Sequence, residues 1–313
     1  MWSTIIHVDH SSAYFPACVS CILCYYTYMN ILIANVGGLR RVEVRELVDA
    51  LKSRHKLVVV GMAKDSSFRG QAFNYDNLPT RGNRSDAYDA DHIASYEFFS
   101  NPADAVSIML GSILRHQPPD IVICGISNGT HMGQDIYCSS NIGMAKEAAM
   151  FGIPTIAIAT DRIIGGHSAK TIRSAIGFLT GAIDGFSKLK MPKRTFININ
   201  IPNPNDFGKF EGVKVTRQGC LTSLSSFTEK QDHNDETYYW ANFVPRVNKE
   251  PQDENSDKTW FDRGYISVTP VNYDATDHSA IACWGQTIKT MTDDLDKEAR
   301  EMDEINYEEG VVI

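Results

Sequence analysis

The chain has 313 residues, 43% of them apolar, which suits one large domain or one domain with an appendage. The formal net charge is −8, so the sequence lacks the basic footprint of a nucleic-acid-binding protein. Much of that charge lies in Asp293–Ile313, where nine acidic residues stand against Lys297 and Arg300. We therefore treat residues 291–313 as an acidic C-terminal tail.

Residues 1–28 differ from the rest of the chain, and we interpret them as a leader or a doubtful extension. The apolar run Ala13–Met29 contains Pro16 and is short for a membrane helix, so we expect no membrane segment. The start also lacks the positive flank of a secretory signal. The spacing Cys18-x-x-Cys21-x-x-Cys24 resembles part of a cluster-binding run, but a fourth ligand at suitable spacing is missing, which favours no chemical role.

The chain has seven cysteines in all. An odd number in a chain of this length is not typical of a disulfide framework. We therefore expect reduced thiols and a cytoplasmic protein.

From Met29 onward, short apolar runs alternate with longer runs that carry apolar residues at helical spacing. The predicted strands are Ile31–Ile33, Leu57–Val60, Asp120–Cys124 and Pro154–Ala159. The predicted helices are Val42–Arg54, Ala105–Leu114, Asn141–Phe151 and Lys170–Phe186. This alternation indicates an α/β fold with a doubly wound, mostly parallel sheet. Between them, Phe73–Tyr96 is polar and rich in turn residues, so we expect it to be irregular.

The pattern changes after about residue 190, where only β elements are indicated. The predicted strands here are Thr195–Ile201, Val213–Arg217, Tyr238–Trp240 and Tyr265–Val268. Asn248–Lys258 is charged, and we expect it to be mobile. Arms or hairpins of this kind often pair subunits, which favours a homo-oligomer.

Three loops follow predicted parallel strands: Asn35–Gly38, Lys64–Gly70 and Gly125–Gly133. In an open parallel sheet, ligands bind at the carboxyl ends of the strands. Glycines let backbone amides approach an anion, and helix N-termini add a favourable dipole. The loops therefore predict a site for a small phosphorylated molecule. The alternative is that their Gly, Ser and Asn residues serve only as turn residues.

The same segments, in the same order, resemble motifs of the SurE survival-protein family from Met29 to about Trp284. Ile31–Gly38 stands in place of the family's Ile-Leu-Leu-(Ser/Thr)-Asn-Asp-Asp-Gly, and Asp120–Gly133 in place of its Asp-Ile-Val-Val-Ser-Gly-Ile-Asn-x-Gly-x-Asn-x-Gly. Further matches are Val59–Ser67, Asn101–Asp104, Tyr137–Gly152, Phe196–Pro202, Gly212–Gly219, Asp262–Pro270 and Thr276–Ala280. The resemblance implies a three-layer α/β/α sandwich over residues 29–290, with C-terminal β-hairpin or arm extensions.

The family resemblance also implies an activity, the hydrolysis of phosphomonoesters such as nucleoside 5'-monophosphates with a divalent metal, Mg²⁺ or Mn²⁺. The family holds this metal with the paired Asp of the first loop, a Ser of the second loop and an Asn of the third. The paired Asp positions are Val36 and Gly37 here, the Ser is retained as Ser67, and the Asn position is Ser127. Hard cations prefer carboxylate oxygens, so this change predicts a degenerate metal site with no intact catalytic residue.

Other residues could compensate for the missing carboxylates. Asp65 in the second loop and Asp135 just beyond the third are the nearest acidic candidates. His131, at the position of a later Asn of the family, could hold a softer ion such as Zn²⁺ with help from Asp65. A loop His is more often a hydrogen-bonding residue. Asp104, at the predicted entry of a helix, is expected to be a cap.

The residues that would hold phosphate or substrate are better preserved than the metal ligands. The candidates are Asn35, Gly38, Gly70, Gly125, Asn128, Gly129, His131, Ser139 and Ser140. We therefore interpret the chain as a SurE-like phosphatase scaffold in which the family activity is weakened or lost. The alternatives are a non-catalytic nucleotide- or phosphate-binding pseudoenzyme or oligomer subunit, a working phosphatase with altered metal ligands, and a purely structural paralogue.

Overall fold

The computed structural model describes residues 28–74, 79–161, 169–204, 210–220, 223–245, 253–281, 284–293 and 295. Contacts divide the chain into two units, Met1–Tyr273 and Asp274–Ile313. The predicted leader up to residue 27, with its three cysteines, lies outside the described residues, as does the tail from residue 296. The domain boundaries at residues 28/29 and 290/291 remain predictions.

A nine-stranded sheet forms the centre of the first unit, in the order β3-β4-β2-β1-β5-β6-β7-β11-β8, and β9 and β10 form a separate two-stranded hairpin. The strands are β1 Asn30–Asn35, β2 Lys56–Met62, β3 Arg81–Ala90, β4 Ile93–Phe99, β5 Ile121–Asn128, β6 Thr155–Thr160, β7 Thr195–Ile201, β8 Gly212–Val215, β9 Ser223–Gln231, β10 Thr237–Pro245 and β11 Tyr265–Asn272. Within the sheet, β3 runs antiparallel to β4 and β11 antiparallel to β7, and the other pairs are parallel. The mostly parallel sheet predicted from the alternating pattern is confirmed.

Helices cover both faces of the sheet. They are α1 Val42–Leu51, α2 Pro102–Ile108, α3 Ser140–Met150, α4 Ala169–Lys188 and α5 Asp257–Asp262, with a π-helical turn at Met109–Ile113 and a 3₁₀ turn at Gly133–Tyr137. Successive residues of a strand point to opposite faces, and β1 shows the consequence. Ile31 and Ile33 pack in one apolar cluster with α1 and α4, whereas Leu32 packs in a second cluster with α2 and α3.

This arrangement gives three layers, α1 and α4 on one side of the sheet and α2 and α3 on the other. Strands buried on both faces need apolar side chains at nearly every position. In β1, five of the six residues are buried accordingly. The same burial explains why the central strands could be recognised from short continuous apolar runs.

One expectation about an irregular segment was wrong. Phe73–Tyr96 was expected to be irregular, but it contains β3 and most of β4. The edge strand β3 (RGNRSDAYDA) lacks an apolar run, because an edge strand has fewer neighbours to bury it. The mobility expected of Asn248–Lys258 stays a prediction; within it, Ser256 caps α5 by accepting a hydrogen bond from the Thr259 backbone N–H (3.2 Å). Residues 248–252 of that segment lie outside the described residues.

The second unit is described over residues 274–281, 284–293 and 295, and it is helical at 278–281, 284–293 and 295. Its first helical turn begins with Asp277, whose carboxylate accepts hydrogen bonds from the backbone N–H groups of Ser279 (2.9 Å) and Ala280 (3.2 Å). In the part of the chain that the structure describes, no helix is both long enough and apolar enough to cross a membrane.

Candidate functional site

The strand order places a topological switch at β1. From β1 the chain passes to β2 on one side, and it later returns to β5 on the other side of β1. Open α/β sheets bind ligands outside the carboxyl ends of the strands at such a switch. Three loops leave this edge side by side: the first loop (Asn35–Gly38), the second loop (Lys64–Gly70) and the third loop (Gly125–Gly133).

Asn35 joins the first loop to the third across the switch. Its side chain is buried, with Oδ1 accepting a hydrogen bond from the Gly37 N–H (2.8 Å) and Nδ2 donating to the Gly125 carbonyl (3.1 Å). The predicted role of Asn35 was direct contact with a phosphate or substrate. Both ends of its side-chain amide bond to the protein, so the structure places Asn35 as the residue that holds the two loops together.

The second loop is tied to the first loop and to the start of α3. The Ser66 N–H donates to the Val36 carbonyl (3.0 Å), and the Ser66 carbonyl accepts a hydrogen bond from Ser140 Oγ (2.7 Å). Ser140 Oγ also accepts a hydrogen bond from the Arg69 N–H (2.8 Å). Ser139 caps α3 by accepting from the Ile142 N–H (3.3 Å). Both serines therefore lie beside the loops, and their hydroxyls already bond to the protein.

Two glycines allow the second loop to pack closely. Gly70 has a φ of +56°, and a Cβ on it would lie 2.8 Å from the Tyr137 carbonyl oxygen. A Cβ on Gly143 of α3 would lie only 2.1 Å from the Gly70 carbonyl oxygen. Real Cβ atoms do not approach backbone this closely, so glycine is required at both positions for the loop to rest on α3.

The third loop begins inside β5 with a break in its pairing to β6. Gly125 has a φ of +139°, and a Cβ on it would lie 2.4 Å from the Ile158 carbonyl oxygen, so the strand can turn there only at a glycine. Ser127 follows, and its carbonyl accepts a hydrogen bond from Thr160 Oγ1 (3.3 Å). Asn128 is exposed, and a Cβ on Gly129 would meet nothing within 4 Å, while the Gly129 N–H donates to the Thr160 carbonyl (3.0 Å).

His131 is buried in the same loop, and its backbone is held by two asparagines of β7. Asn200 Oδ1 accepts from the His131 N–H (2.7 Å), and the His131 carbonyl accepts from Asn198 Nδ2 (2.6 Å) and Asn200 Nδ2 (3.3 Å). Burial lowers the pKa of His131 to about 3, so its imidazole is neutral near pH 7. A neutral buried imidazole carries no charge for a phosphate, and the two asparagines position the loop.

A charged cluster lies where the first loop meets the second. The guanidinium of Arg41 forms an ion pair with the Asp65 carboxylate, and Arg41 Nε lies 3.9 Å from a Glu43 carboxylate oxygen. Asp65 Oδ1 accepts hydrogen bonds from the Ser67 N–H (3.0 Å) and Ser67 Oγ (2.7 Å). Partial burial alone would raise the pKa of Asp65, but these hydrogen bonds and the positive charge of Arg41 hold it below its usual value. Asp65 is therefore ionised, and it is paired within the protein.

Asp257 is a site residue that the sequence reasoning missed. Its fully buried carboxylate accepts hydrogen bonds from the backbone N–H groups of Gly133 (3.0 Å), Gly219 (3.1 Å) and Lys258 (2.7 Å). Burial nonetheless raises its pKa. Asp257 fastens the end of the third loop to a distant part of the chain, and no local sequence signal marked it because its partners Gly133 and Gly219 are remote in sequence.

A metal site needs several ligand side chains that converge on one point. Among the residues that the structure describes, no group of three or more His, Cys, Asp or Glu side chains is arranged to hold a metal ion. Asp135 is half-buried and lies near Asp257.

A shallow concavity of about 760 Å³ opens at the same edge of the sheet, lined by Thr80, Arg81, Gly82, Asn83 and Phe99.

Comparison with known proteins identifies a family whose members are similar to this chain. A family model described as "Survival protein SurE" matches residues 31–223. The 5'-nucleotidase SurE of Thermoanaerobacter sp. (strain X514) is 31% identical over 254 residues, which cover 81% of this chain and 96% of the relative. The 5'-nucleotidase SurE of Thermosynechococcus vestitus is 28% identical over 268 residues, which cover 85% of this chain and 96% of that relative.

A solved structure gives the same result. The crystal structure of the SurE protein from Aquifex aeolicus superposes with a TM-score of 0.66 at 25% identity, covering 84% of this chain and 99% of that one. Both the fold and the order of the loops therefore have a counterpart in known proteins, and the chain belongs to the survival protein SurE family.

Proposed function

We propose that this protein binds a small phosphorylated molecule, most simply a nucleoside 5'-monophosphate, at the three-loop edge, and that metal-dependent hydrolysis is weakened or lost. Relatives named 5'-nucleotidase support the ligand class. Space beside the third loop supports a ligand there, since Asn128 is exposed and a Cβ on Gly129 would meet nothing within 4 Å. Within the described part of the chain, the side-chain amide of the buried Asn141, in the first turn of α3, also has no hydrogen-bond partner, and a ligand could satisfy this group.

One observation carries the proposed loss of turnover. The loop positions that hold paired carboxylates in the family resemblance are Val36 and Gly37, and the neighbouring carboxylate of Asp65 is paired with Arg41. Ser67, the retained ligand position, donates its hydroxyl to Asp65. Mg²⁺ and Mn²⁺ need oxygen ligands of which some are charged, so this donor set does not fit such an ion.

The missing ion has a predictable effect on rate. In metal-dependent phosphatases the ion polarises the phosphoryl oxygen and generates the nucleophile, which lowers the barrier by several kcal/mol. Without it, turnover is expected to fall by on the order of 10³-fold or more.

The sequence similarity favours a second candidate, a working 5'-nucleotidase with relocated metal ligands such as Asp65, Asp135 or Ser127. The 31% identity to a named 5'-nucleotidase over most of both chains supports it. It requires Asp65 to leave Arg41, or Asp135 to reach the first loop, before an ion could bind.

Phosphate release distinguishes the two candidates. The assay uses nucleoside monophosphates and an aryl phosphate with Mg²⁺, Mn²⁺, Co²⁺ or Zn²⁺, and the Thermoanaerobacter relative serves as the positive control. Binding of AMP is measured in parallel by calorimetry. We expect AMP binding with little or no metal-dependent release. Turnover comparable to that of the relative in any of the four metals would overturn the proposal in favour of the working enzyme.

A further inference from the structure

Arg41 lies against the loop that follows β1. A Cβ built on Gly37 would lie 2.5 Å from Arg41 Nε and 3.2 Å from its Cζ, so the side chain passes directly over the Gly37 backbone. Any side chain at residue 37 would have to share this space. The guanidinium thus lies on the first loop itself, at the carboxyl edge of the sheet where ligands of α/β folds bind.

The surroundings of Arg41 orient its guanidinium. The ion pair with Asp65 engages Nη2, and a Glu43 carboxylate oxygen lies 3.9 Å from Nε. Burial raises the pKa of Glu43. The Arg41 side chain nonetheless remains 47% exposed. An oriented guanidinium with an accessible face is the group that proteins use to hold phosphate with paired hydrogen bonds.

Resting on the proposed function, we propose that Arg41 supplies from within the protein the positive charge that holds the ligand's phosphate group, so that phosphate binding needs no divalent cation. Asp65 acts as a positioning residue that holds the guanidinium over Gly37. The ligand class is a phosphomonoester or inorganic phosphate, which share the same terminal oxygens.

The chain offers a matched control one residue away. Arg40 carries the same charge on the same turn, but it is more exposed than Arg41, and its Nη2 lies 3.6 Å from Oδ1 of the exposed Asp86. Replacing Arg40 removes the same net charge from this edge of the molecule. The variants Arg40→Gln and Arg41→Gln therefore separate a specific contact from a general loss of positive potential.

The test measures dissociation constants of AMP and of inorganic phosphate by calorimetry, with EDTA and with Mn²⁺, for the full chain and both variants. We expect wild type to bind equally well in EDTA and in Mn²⁺. We expect R41Q to bind at least about 10-fold more weakly, as loss of a charge-assisted pair implies, and R40Q to stay within about 2-fold of wild type. Should R41Q fail to fold by circular dichroism, R41K carries the test, and weakening of about 3-fold or more is expected because lysine lacks the planar fork.

The outcomes separate this inference from the proposed function. If wild type binds in EDTA and R41Q, or R41K in its place, binds as R40Q does, the role of Arg41 is overturned while phosphate binding stands. If wild type binds only with Mn²⁺, or binds neither AMP nor phosphate, the proposed metal-free binding fails and the role of Arg41 fails with it.

Discussion

At the residue scale, Val36 and Gly37 stand where the family resemblance implies paired Asp ligands for a divalent ion. Val36 is buried in the apolar cluster under α2 and α3, and Gly37 is covered by Arg41. We predict that the double variant Val36→Asp/Gly37→Asp binds Mn²⁺ more tightly than wild type, because two carboxylates would then adjoin Ser67. Adding Arg41→Gln should raise the affinity further, since it removes a competing cation.

Manganese affinity can be measured by calorimetry or by the electron paramagnetic resonance signal of free Mn²⁺. The exposed Val42, at the start of α1, provides a control in the variant Val42→Asp, which adds a carboxylate without completing the loop. Equal affinity of wild type and the double variant for Mn²⁺ would show that more than the two carboxylates separates this pocket from a metal site.

His131 gives a prediction about pH. Its pKa is about 3 in the folded protein, below the ordinary value of 6.5, so between these values the unfolded chain binds a proton that the folded chain does not. The contribution of the neutral His131 to the free energy of unfolding is therefore fully present above about pH 6.5. It is lost as the pH is lowered towards 3, by up to about 1.4 kcal/mol per pH unit.

The variant His131→Gln should flatten this slope in denaturant unfolding measured from pH 7.5 to pH 4.5. The hydrogen bonds of Asn198 and Asn200 to residue 131 use its backbone, so they survive the substitution. The free energy of unfolding will still depend on pH to some extent, because burial also lowers the pKa of His55. An unchanged slope in His131→Gln would mean that the imidazole is protonated in the folded protein.

At the element scale, the sequence pattern predicted the buried part of the fold well. The central strands β1, β2, β5 and β6 are apolar on both faces, and the helices beside them have apolar stripes, so both were recognisable from periodicity. The edge strand β3 was not, because its polar residues resemble those of a loop. Strand pairing, rather than composition, makes this segment a strand.

The candidate site was predictable in position but not in its contacts. Sequence reasoning located the three loops because each follows an apolar strand. It could not foresee that Asp257 and Asn200 anchor the third loop, since their partners lie 124 and 69 residues away in the chain. Nor did it single out Arg41, whose significance depends on the space left by Gly37.

Packing of the second loop on α3 yields a prediction for Gly143. The variant Gly143→Ala would bring a Cβ to within 2.1 Å of the Gly70 carbonyl oxygen, which is backbone and cannot rotate away. We expect destabilisation by about 1–3 kcal/mol from overpacking, together with weaker AMP binding as the second loop shifts.

The control for that substitution is Gly177→Ala in α4, where a new Cβ meets nothing within 4 Å. This variant should stabilise the protein by up to about 1 kcal/mol, because alanine favours a helix over glycine. Urea unfolding of both variants tests the pair. A Gly143→Ala protein as stable as wild type would show that the second loop does not rest on α3 as described.

At the scale of the whole molecule, fold and chemistry depend on different residues. The sheet and its two helical layers are specified by apolar residues spread over the first unit, and these are matched closely enough for a TM-score of 0.66 to a relative that is 25% identical. The reaction would depend on a few polar positions at one edge of that sheet. Family membership therefore does not by itself establish activity, because the fold depends on many apolar residues and a reaction on a few polar ones.

The β9–β10 hairpin is relevant to the predicted homo-oligomer. Its two strands pair along their whole length, from Ser223 opposite Pro245 to Gln231 opposite Thr237. It carries several exposed aromatic side chains, among them Phe227, Tyr239 and Trp240. Clusters of exposed apolar surface in soluble proteins mark contacts with other molecules. A second copy of this chain is the occupant that we predict, as paired arms are a common way for identical subunits to associate.

Light scattering coupled to gel filtration should then give a mass that is a multiple of the 34.9 kDa chain. The variant Trp240→Ser should shift the protein towards the monomer, because it removes a large apolar contact from the hairpin. Phe99→Ser is the matched control, since Phe99 on β4 is 57% exposed and Trp240 58%. A monomeric wild type, or an equal shift in both variants, would contradict assembly through the hairpin, because surface aromatics in general would then explain the result.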